Sequence, residues 1–362
     1  MKIGIVTYHR TNNYGACLQA VATRLVLEQM GHEAYYVDYW PKYHASKYSL
    51  FSFYKLRKSS WRSRWNYVTD IIKYFSLRKK RIQSFDFFLK EYIYPYCRST
   101  GEEYDIIIYG SDQIWRKQRE IKAYNPFYFG KNTLKAKRHI AYAASMGILP
   151  SDEKEKDIVK TLVSHLDSIS VREKDLKSFL EGMGFHHVFL SIDPTLLLDK
   201  NDWDNELPTP QFAGEKYVLV YIMGANGFDL QQIQKFAERK HLKVIYLKGY
   251  ATTRETESNV VSAGPMEFLQ LIKNAEYVFS SSFHGVAFSI IYNKQFYASL
   301  INNEGRIRSL LSLLGIENRL LPPRGPIPLS SEDIDYAQVT TRLLSEKEAS
   351  HTFLFNSIEN YL

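Results

Sequence analysis

An α/β protein of two doubly wound units, each a parallel sheet covered by helices, is what this sequence predicts. Three observations carry that expectation. Short β-branched and aromatic runs alternate with segments that have apolar residues at helical spacing, as parallel sheets flanked by helices require. The alternation starts afresh after a polar stretch at 199–214 that contains Pro208 and Pro210. The chain has 362 residues, long for a single core and natural for two.

The elements follow in order. Lys2 to Tyr8 reads as a buried strand and His9 to Tyr14 as its loop. A helix from about Gly15 to Met30 sets Leu18, Val21, Ala22, Leu25 and Val26 at helical spacing, and Gly31 ends it. Ala34 to Tyr39 is the second strand, and 42–100 reads as a basic helical insertion. Strands return at Tyr104–Gly110 and Arg138–Ala143. A helix over Glu153–Leu166, a strand over Ser168–Glu173, a helix over Lys174–Gly182 and a strand over Val188–Ser191 complete the first unit, which Asp193-Pro194-Thr195 closes. The stretch 199–214 is read as a linker, with Asp202-Trp203-Asp204 on the surface.

Beyond the linker come a strand at Lys216–Met223, a helix at Asp229–Lys240, a strand at Lys243–Leu247 and a helix at Pro265–Lys273 introduced by Gly264. Residues 276–296 follow, the most telling stretch in the chain. Tyr277-Val278-Phe279 runs into three serines, then Phe283-His284-Gly285, then an apolar helix-like segment. Serines there are expected to cap the helix, and its first turn forms an anion site. The tail 330–362 reads as helical, packing back on the first domain. Two Rossmann-like domains with a cleft between them result, 1–198 and 199–329.

Composition narrows the function. Apolar residues make up 45% and charged residues 24%, as in ordinary globular proteins. No apolar run is long enough to span a bilayer. A strand-like start without a secretory signal, and only Cys17 and Cys97, predict a cytoplasmic protein. The net charge of +8 is local: between Lys55 and Arg81 lie ten Lys or Arg against one acid, Asp70. Tyr54, Trp61, Trp65, Tyr67, Tyr74 and Phe75 interleave with them. Residues 54–81 therefore suit peripheral contact with an anionic membrane or a lipid-linked pyrophosphate; the alternative is a solvated basic face. No nucleic-acid module accompanies the patch.

Several chemistries lack their residues. The first loop has no Gly-x-Gly-x-x-Gly for a dinucleotide, which makes Asp38 structural rather than a ribose ligand. Metal-ligand spacing and a Gly-x-Ser-x-Gly elbow are missing as well. Polar residues gather instead at strand ends, where ligands bind in doubly wound sheets: Asn12, Asn13 and Gly15; Ser111, Asp112 and Gln113; Ser145; Arg172; and Ser281, Ser282 and His284.

Six segments resemble, in order, the motifs of polysaccharide pyruvyl transferases: Asn13-Tyr14-Gly15-Ala16-Cys17-Leu18-Gln19, Gly110-Ser111-Asp112-Gln113-Ile114-Trp115, Ser170-Val171-Arg172-Glu173, Asp193-Pro194-Thr195, Ser282-Phe283-His284-Gly285 and Arg306-Ile307-Arg308-Ser309-Leu310-Leu311. The resemblance runs from about residue 3 to 320 and omits 42–100 and the tail. It implies a fold similar to the GT-B glycosyltransferases. The implied activity moves the pyruvyl group of phosphoenolpyruvate onto two hydroxyls of one sugar in a surface polysaccharide, an exopolysaccharide or a lipid-linked precursor.

On that resemblance phosphoenolpyruvate is a co-substrate, and no metal or other cofactor is called for. The C-terminal domain is its side, held by Arg172, Ser282, His284, Gly285 and Arg306. The N-terminal domain is the acceptor side, with Asn12, Asn13, Ser111, Asp112 and Gln113 on the sugar. His284 is the expected general acid and Asp112 the expected base or hydroxyl orienter. Arg172 and Arg306 offer planar forks for carboxylate and phosphate, although Arg172 could instead pair with Glu173 or Asp175, and Arg308 competes with Arg306 to face inward. Two other readings stand beside this one: a GT-B-type glycosyltransferase using a nucleotide sugar, and a non-catalytic membrane-surface scaffold in glycan assembly.

Overall fold

The computed structural model describes residues 1–41, 43–44, 61–208, 214–223, 227–248, 255–256, 258–300, 305–328 and 332–359, with backbone only at 62–64, 66 and 67. Residues 54–60 of the basic stretch lie outside these. Seven strands form the first sheet: β1 (Lys2–Val6), β2 (Glu33–Val37), β3 (Cys97–Arg98), β4 (Ile106–Tyr109), β5 (Arg138–Ala144), β6 (Ser168–Val171) and β7 (Val188–Leu190), in the order β3-β2-β1-β4-β5-β6-β7. Six form the second: β8 (Tyr217–Tyr221), β9 (Lys243–Leu247), β10 (Asn259–Val260), β11 (Tyr277–Ser280), β12 (Gln295–Ser299) and β13 (Leu320–Leu321), in the order β10-β9-β8-β11-β12-β13. Every pairing between strands is parallel. Buried runs such as Ile106-Ile107-Ile108-Tyr109 are what a sheet covered on both faces demands. With helices interleaved, the arrangement is GT-B-like.

Strand order reverses direction between β1 and β4 in the first sheet and between β8 and β11 in the second. Such reversals open a crevice at the carboxyl ends of the strands. The loops leaving β1, β4 and β11 therefore start from switch points; Ser111 lies in the loop after β4, and Gly15 and His284 sit in the first turns of the helices that follow β1 and β11.

Eleven helices of α type are seen among the described residues. In chain order α1 (Tyr14–Gln29) precedes α2 (Trp61–Lys73) and α3 (Phe75–Tyr92) of the insertion. Then come α4 (Glu153–Val163), α5 (Lys174–Gly182), α6 (Lys200–Glu206), α7 (Leu230–Arg239), α8 (Pro265–Asn274), α9 (Phe283–Ile291), α10 (Gly305–Leu314) and α11 (Tyr336–Glu359). The insertion is not wholly helical, because Cys97 pairs with Tyr36 and Val37 with Arg98. Two residues make a short edge strand, which offers little to a foreign chain.

The stretch read as a linker differs most from expectation. Asp199 and Asp202 form a reciprocal capping box, with Asp199 Oδ1 accepting from the Asp202 N–H at 2.9 Å and Asp202 Oδ2 accepting from the Asp199 N–H at 2.8 Å. Helix α6 follows from it. Trp203, placed on the surface by the sequence reading, is fully buried; its indole N–H donates to the Thr195 carbonyl at 3.2 Å and its ring meets Phe288 edge-on at 5.0 Å. A helix of seven residues is too short for periodicity to show, so the flanking acids masked its buried face.

A single apolar cluster runs through both domains. At its centre Tyr14 stacks on Phe268 of α8 at 4.7 Å and on Phe85 of α3 at 5.3 Å, and its hydroxyl donates to the Ala263 carbonyl at 3.1 Å. Arg81, counted in the basic stretch, does not face solvent. Its guanidinium hydrogen-bonds the Tyr14 hydroxyl and the carbonyls of Val261 and Ala263, both at 3.2 Å. Helix α11 crosses back to the first sheet: Ser350 Oγ accepts from the Ile192 N–H at 3.1 Å, Arg138 donates to the Ser357 carbonyl at 2.6 Å, and Phe353 lies 5.1 Å from Phe189. No helix among the described residues is long and apolar enough to cross a membrane.

Truncating Trp203 to Ala leaves a large cavity between α6 and α9, so unfolding in urea should show about 3–5 kcal/mol less stability. A loss under about 1 kcal/mol would mean that the α6 contact is dispensable.

Candidate active site

The strand ends meet around one carboxylate. Asp193, 1% exposed, ends the first domain's last strand region and accepts from the Thr195 N–H at 3.0 Å and the Thr195 hydroxyl at 2.7 Å. Its other oxygen accepts from the Ser111 hydroxyl at 2.9 Å and forms an ion pair with Arg172. His284 Nε2 stands 3.7 Å from that same oxygen. Ser111 follows β4, Arg172 follows β6 and His284 opens α9 in the other domain. Burial works against the Asp193 carboxylate, but Arg172, His284 and the Thr195 bonds outweigh it and hold the group ionised far below the usual carboxylate range.

Local structure explains how each group arrives. Gly110 has φ of 142°, and a Cβ there would come to 1.9 Å from the Tyr142 carbonyl oxygen, so only glycine lets the chain turn after β4. Asp112 adopts a left-handed φ of 48° in a turn rather than capping a helix at Gln113, and its Oδ1 lies 3.7 Å from Arg172 Nη2. The imidazole of His284 lies against Gly15, where a Cβ would sit 1.9 Å from Nδ1. Helix α1 can thus approach α9 only with glycine at that position.

Arg172 and His284 keep atoms uncommitted. The Nε and Nη2 of Arg172 and Nε2 of His284 are buried and have no hydrogen-bond partner among the described residues. The two 3.7 Å gaps beside them are too long for direct bonds, so these donors remain to be satisfied by something else. Buried donors without partners are costly, which makes this the place where an anion would be welcome. The guanidinium of Arg172 also lies 4.7 Å from the Phe283 ring, and that of Arg306 lies 5.9 Å from it.

The remaining candidates are distributed unevenly. Arg306 is buried in the first turn of α10, whereas Arg308 is exposed. Gly285 packs on Ser280 in the first turn of α9. Ser282 occupies the N-cap of α9 without a side-chain cap bond, contrary to the expected capping. The neighbouring hydroxyls serve the sheet: Ser280 donates to the Tyr221 carbonyl at 3.1 Å and Ser281 accepts from the Met223 N–H at 2.8 Å. On the acceptor side Ser111 is fully buried with its hydroxyl given to Asp193. Asn13 is exposed and caps α1 by accepting from the Ala16 N–H at 3.2 Å. Asn12 is half-buried, and Gln113 lies over Gly147. Asp38 pairs with Arg10 at 2.6 Å. Among the described residues no group of three His, Cys, Asp or Glu is placed to hold a metal ion.

Sequence reasoning gave no role to Asp193 or Phe283 and named Glu173 only, with Asp175, as an alternative ion-pair partner of Arg172, whose buried partner is Asp193 instead. Asp193 is the hub of the cluster, and its signal was a polar Asp-Pro-Thr directly after a strand. Glu173 is 2% exposed, accepts from the Ser145 hydroxyl and keeps Oε2 buried without a partner among the described residues. Burial pushes its carboxyl up to about 7, against the pull of Arg172, Ser145 and Arg306. An unfolded Glu loses its proton near 4.5, so the folded state holds the proton longer and stability falls as pH rises from about 5 to 7. Glu173→Gln, isosteric and neutral, should flatten that decline, by about 3 kcal/mol at full effect. Unfolding curves at pH 5 and pH 7.5 check this; parallel wild-type and variant profiles would show that Glu173 stays charged.

No curated protein matches the chain significantly. Solved structures of UDP-N-acetylglucosamine 2-epimerases resemble it distantly. The Rickettsia bellii protein is 12% identical with TM-score 0.47, covering 99% of this chain and 96% of its own. That from Methanocaldococcus jannaschii is 12% identical with TM-score 0.45, covering 100% and 94%. The sequence profile of polysaccharide pyruvyl transferases matches residues 13–303, a span that holds Gly15, Ser111, Arg172, Asp193 and His284. By that match, over far more than half its length, the chain belongs to the polysaccharide pyruvyl transferase family.

Proposed function

We propose that the protein moves the pyruvyl unit of phosphoenolpyruvate onto two hydroxyls of one sugar, forming a cyclic ketal and releasing phosphate. The observation that carries this reading is the set of buried, unpartnered atoms on Arg172 and His284 at the meeting of the two domains. A small polyanionic substrate with a carboxylate and a phosphate matches such a set, since a guanidinium fork and an imidazole N–H are donors suited to those groups.

In this reading His284 donates its Nε2 proton to the methylene carbon of the enol. The adjacent carbon becomes cationic, and one sugar hydroxyl adds to it while its proton passes to Asp112. The C–O bond to phosphate breaks, the second hydroxyl closes the ring, and its proton leaves on phosphate or returns to His284. Of the two hydroxyl protons, one replaces the proton given to the methyl group and the other leaves with phosphate. Asp193 touches no substrate; it holds Arg172 and orients His284. Preorganised charge of this kind lowers the barrier because the donors are already in place when the cation and the leaving phosphate develop.

His284→Ala should cut phosphate release from phosphoenolpyruvate plus acceptor by about a hundredfold or more, with an unchanged circular dichroism spectrum. Turnover within a few-fold of wild type would remove His284 from the reaction. Arg172→Lys keeps the charge beside Asp193 but loses the fork. Its KM for phosphoenolpyruvate should rise about tenfold with little change in melting temperature. A normal KM with a lowered melting temperature would make Arg172 a structural partner of Asp193 alone. Mass spectrometry of the acceptor, showing an added pyruvyl ketal, tests the reaction itself; transfer from a nucleotide sugar instead would overturn it.

A further inference from the structure

Helix α2 carries apolar side chains on its outer side. Trp61, Trp65, Val68 and Ile72 recur at steps of four, three and four, which aligns them along one stripe of the helix. All four are exposed, Trp61 to 75% and Ile72 to 73%. Phe75, the first residue of α3, prolongs the stripe and is exposed as well. The inner side is anchored: Ile71 and Tyr74 are buried, and Tyr74 packs on Val261 of the second domain. Single exposed apolar residues are ordinary, but an aligned row headed by two tryptophans marks a surface that meets something.

Charge decides what it meets. Of the ten Lys and Arg between Lys55 and Arg81, Arg81 alone is buried among those whose side chains are described; Lys73 at the end of α2 and Lys79 and Lys80 on α3 are exposed. Asp70 is the one acid in that interval. A second copy of this face would bring like charges together and be repelled. A bilayer with anionic headgroups attracts the lysines and takes tryptophan rings at the level of its interface. We propose that α2 lies in the headgroup region of an anionic bilayer, with Trp61, Trp65, Val68 and Ile72 on its buried side.

Docking there fixes more than one helix. Tyr74 and Arg81 tie the insertion to Val261 and Ala263, and Arg81 also bonds Tyr14. The next residue, Gly15, supports His284. The cleft would therefore stand at a set distance and orientation from the lipid surface, which suits an acceptor sugar carried on a lipid. The docking itself depends on no step of the reaction.

Co-sedimentation of the full chain with phosphatidylcholine vesicles, with and without phosphatidylglycerol, tests this. Binding is expected to the anionic vesicles only, and to weaken in high salt. Trp61→Ser combined with Ile72→Ser should weaken it by about tenfold or more while leaving the melting temperature and phosphate release with a soluble acceptor unchanged. Absence of binding to anionic vesicles, or equal binding by the variant, would overturn the proposal. So would light scattering that shows a dimer which the variant dissociates. Because vesicle binding and phosphate release are read separately, failure here leaves the catalytic reading standing, and the reverse.

Discussion

The ion pair between Arg172 and Asp193, sealed from water, is the constraint on which the centre of this molecule depends. Removing both charges from solvent costs several kcal/mol per ion, and attraction between them offsets that only when the remaining lone pairs are also satisfied. Here they are, by Thr195 on one carboxylate oxygen and Ser111 on the other. The carboxylate therefore draws the ends of β4, β6 and β7 to one point. It also saturates part of the guanidinium, so that what remains of Arg172 is held in a fixed direction. The stability of the pair and the disposition of the unpaired atoms are two sides of one arrangement.

Facing it, the second domain contributes a residue whose position is set by close packing rather than by hydrogen bonds. His284 lies on Gly15 because α1 approaches α9 without a side chain between them. Around that contact the apolar cluster is shared by α1, α3, α8 and α9. The two sheets are thus less independent than their separate strand orders suggest. A cleft framed in this way keeps its groups at short distances without a ligand to organise them.

Much of this was legible from sequence where periodicity is long. The helix over Lys174–Gly182 and the strand over Lys243–Leu247 fall where the pattern put them, because amphipathic spacing and short apolar runs report burial directly. The cluster of polar strand ends was legible for the same reason: polar residues interrupting apolar runs are conspicuous. What escaped was anything decided across the chain. Arg81 looks like a surface cation until Tyr14 and the carbonyls beyond Val260 come to meet it. Trp203 looks like a linker residue until Phe288 covers it. The serines at 280–282 look like helix caps, yet the hydroxyls of two of them bond the end of β8 and the residues just after it. Local pattern names the groups, and tertiary packing assigns their partners.

Helix α11 has a bearing on how the molecule is made. It leaves the second domain, where the Tyr336 hydroxyl bonds the Ser289 carbonyl at 3.3 Å, and finishes against β5 and β7 of the first. Emerging from a ribosome, the first sheet would have its strands early but would wait for Ser350, Phe353 and Ser357 to cover them. Until then Tyr142 is uncovered on that side, and the whole second domain must be synthesised before it is protected. A helix made after the second sheet closes the first, which couples completion of one half of the cleft to completion of the other.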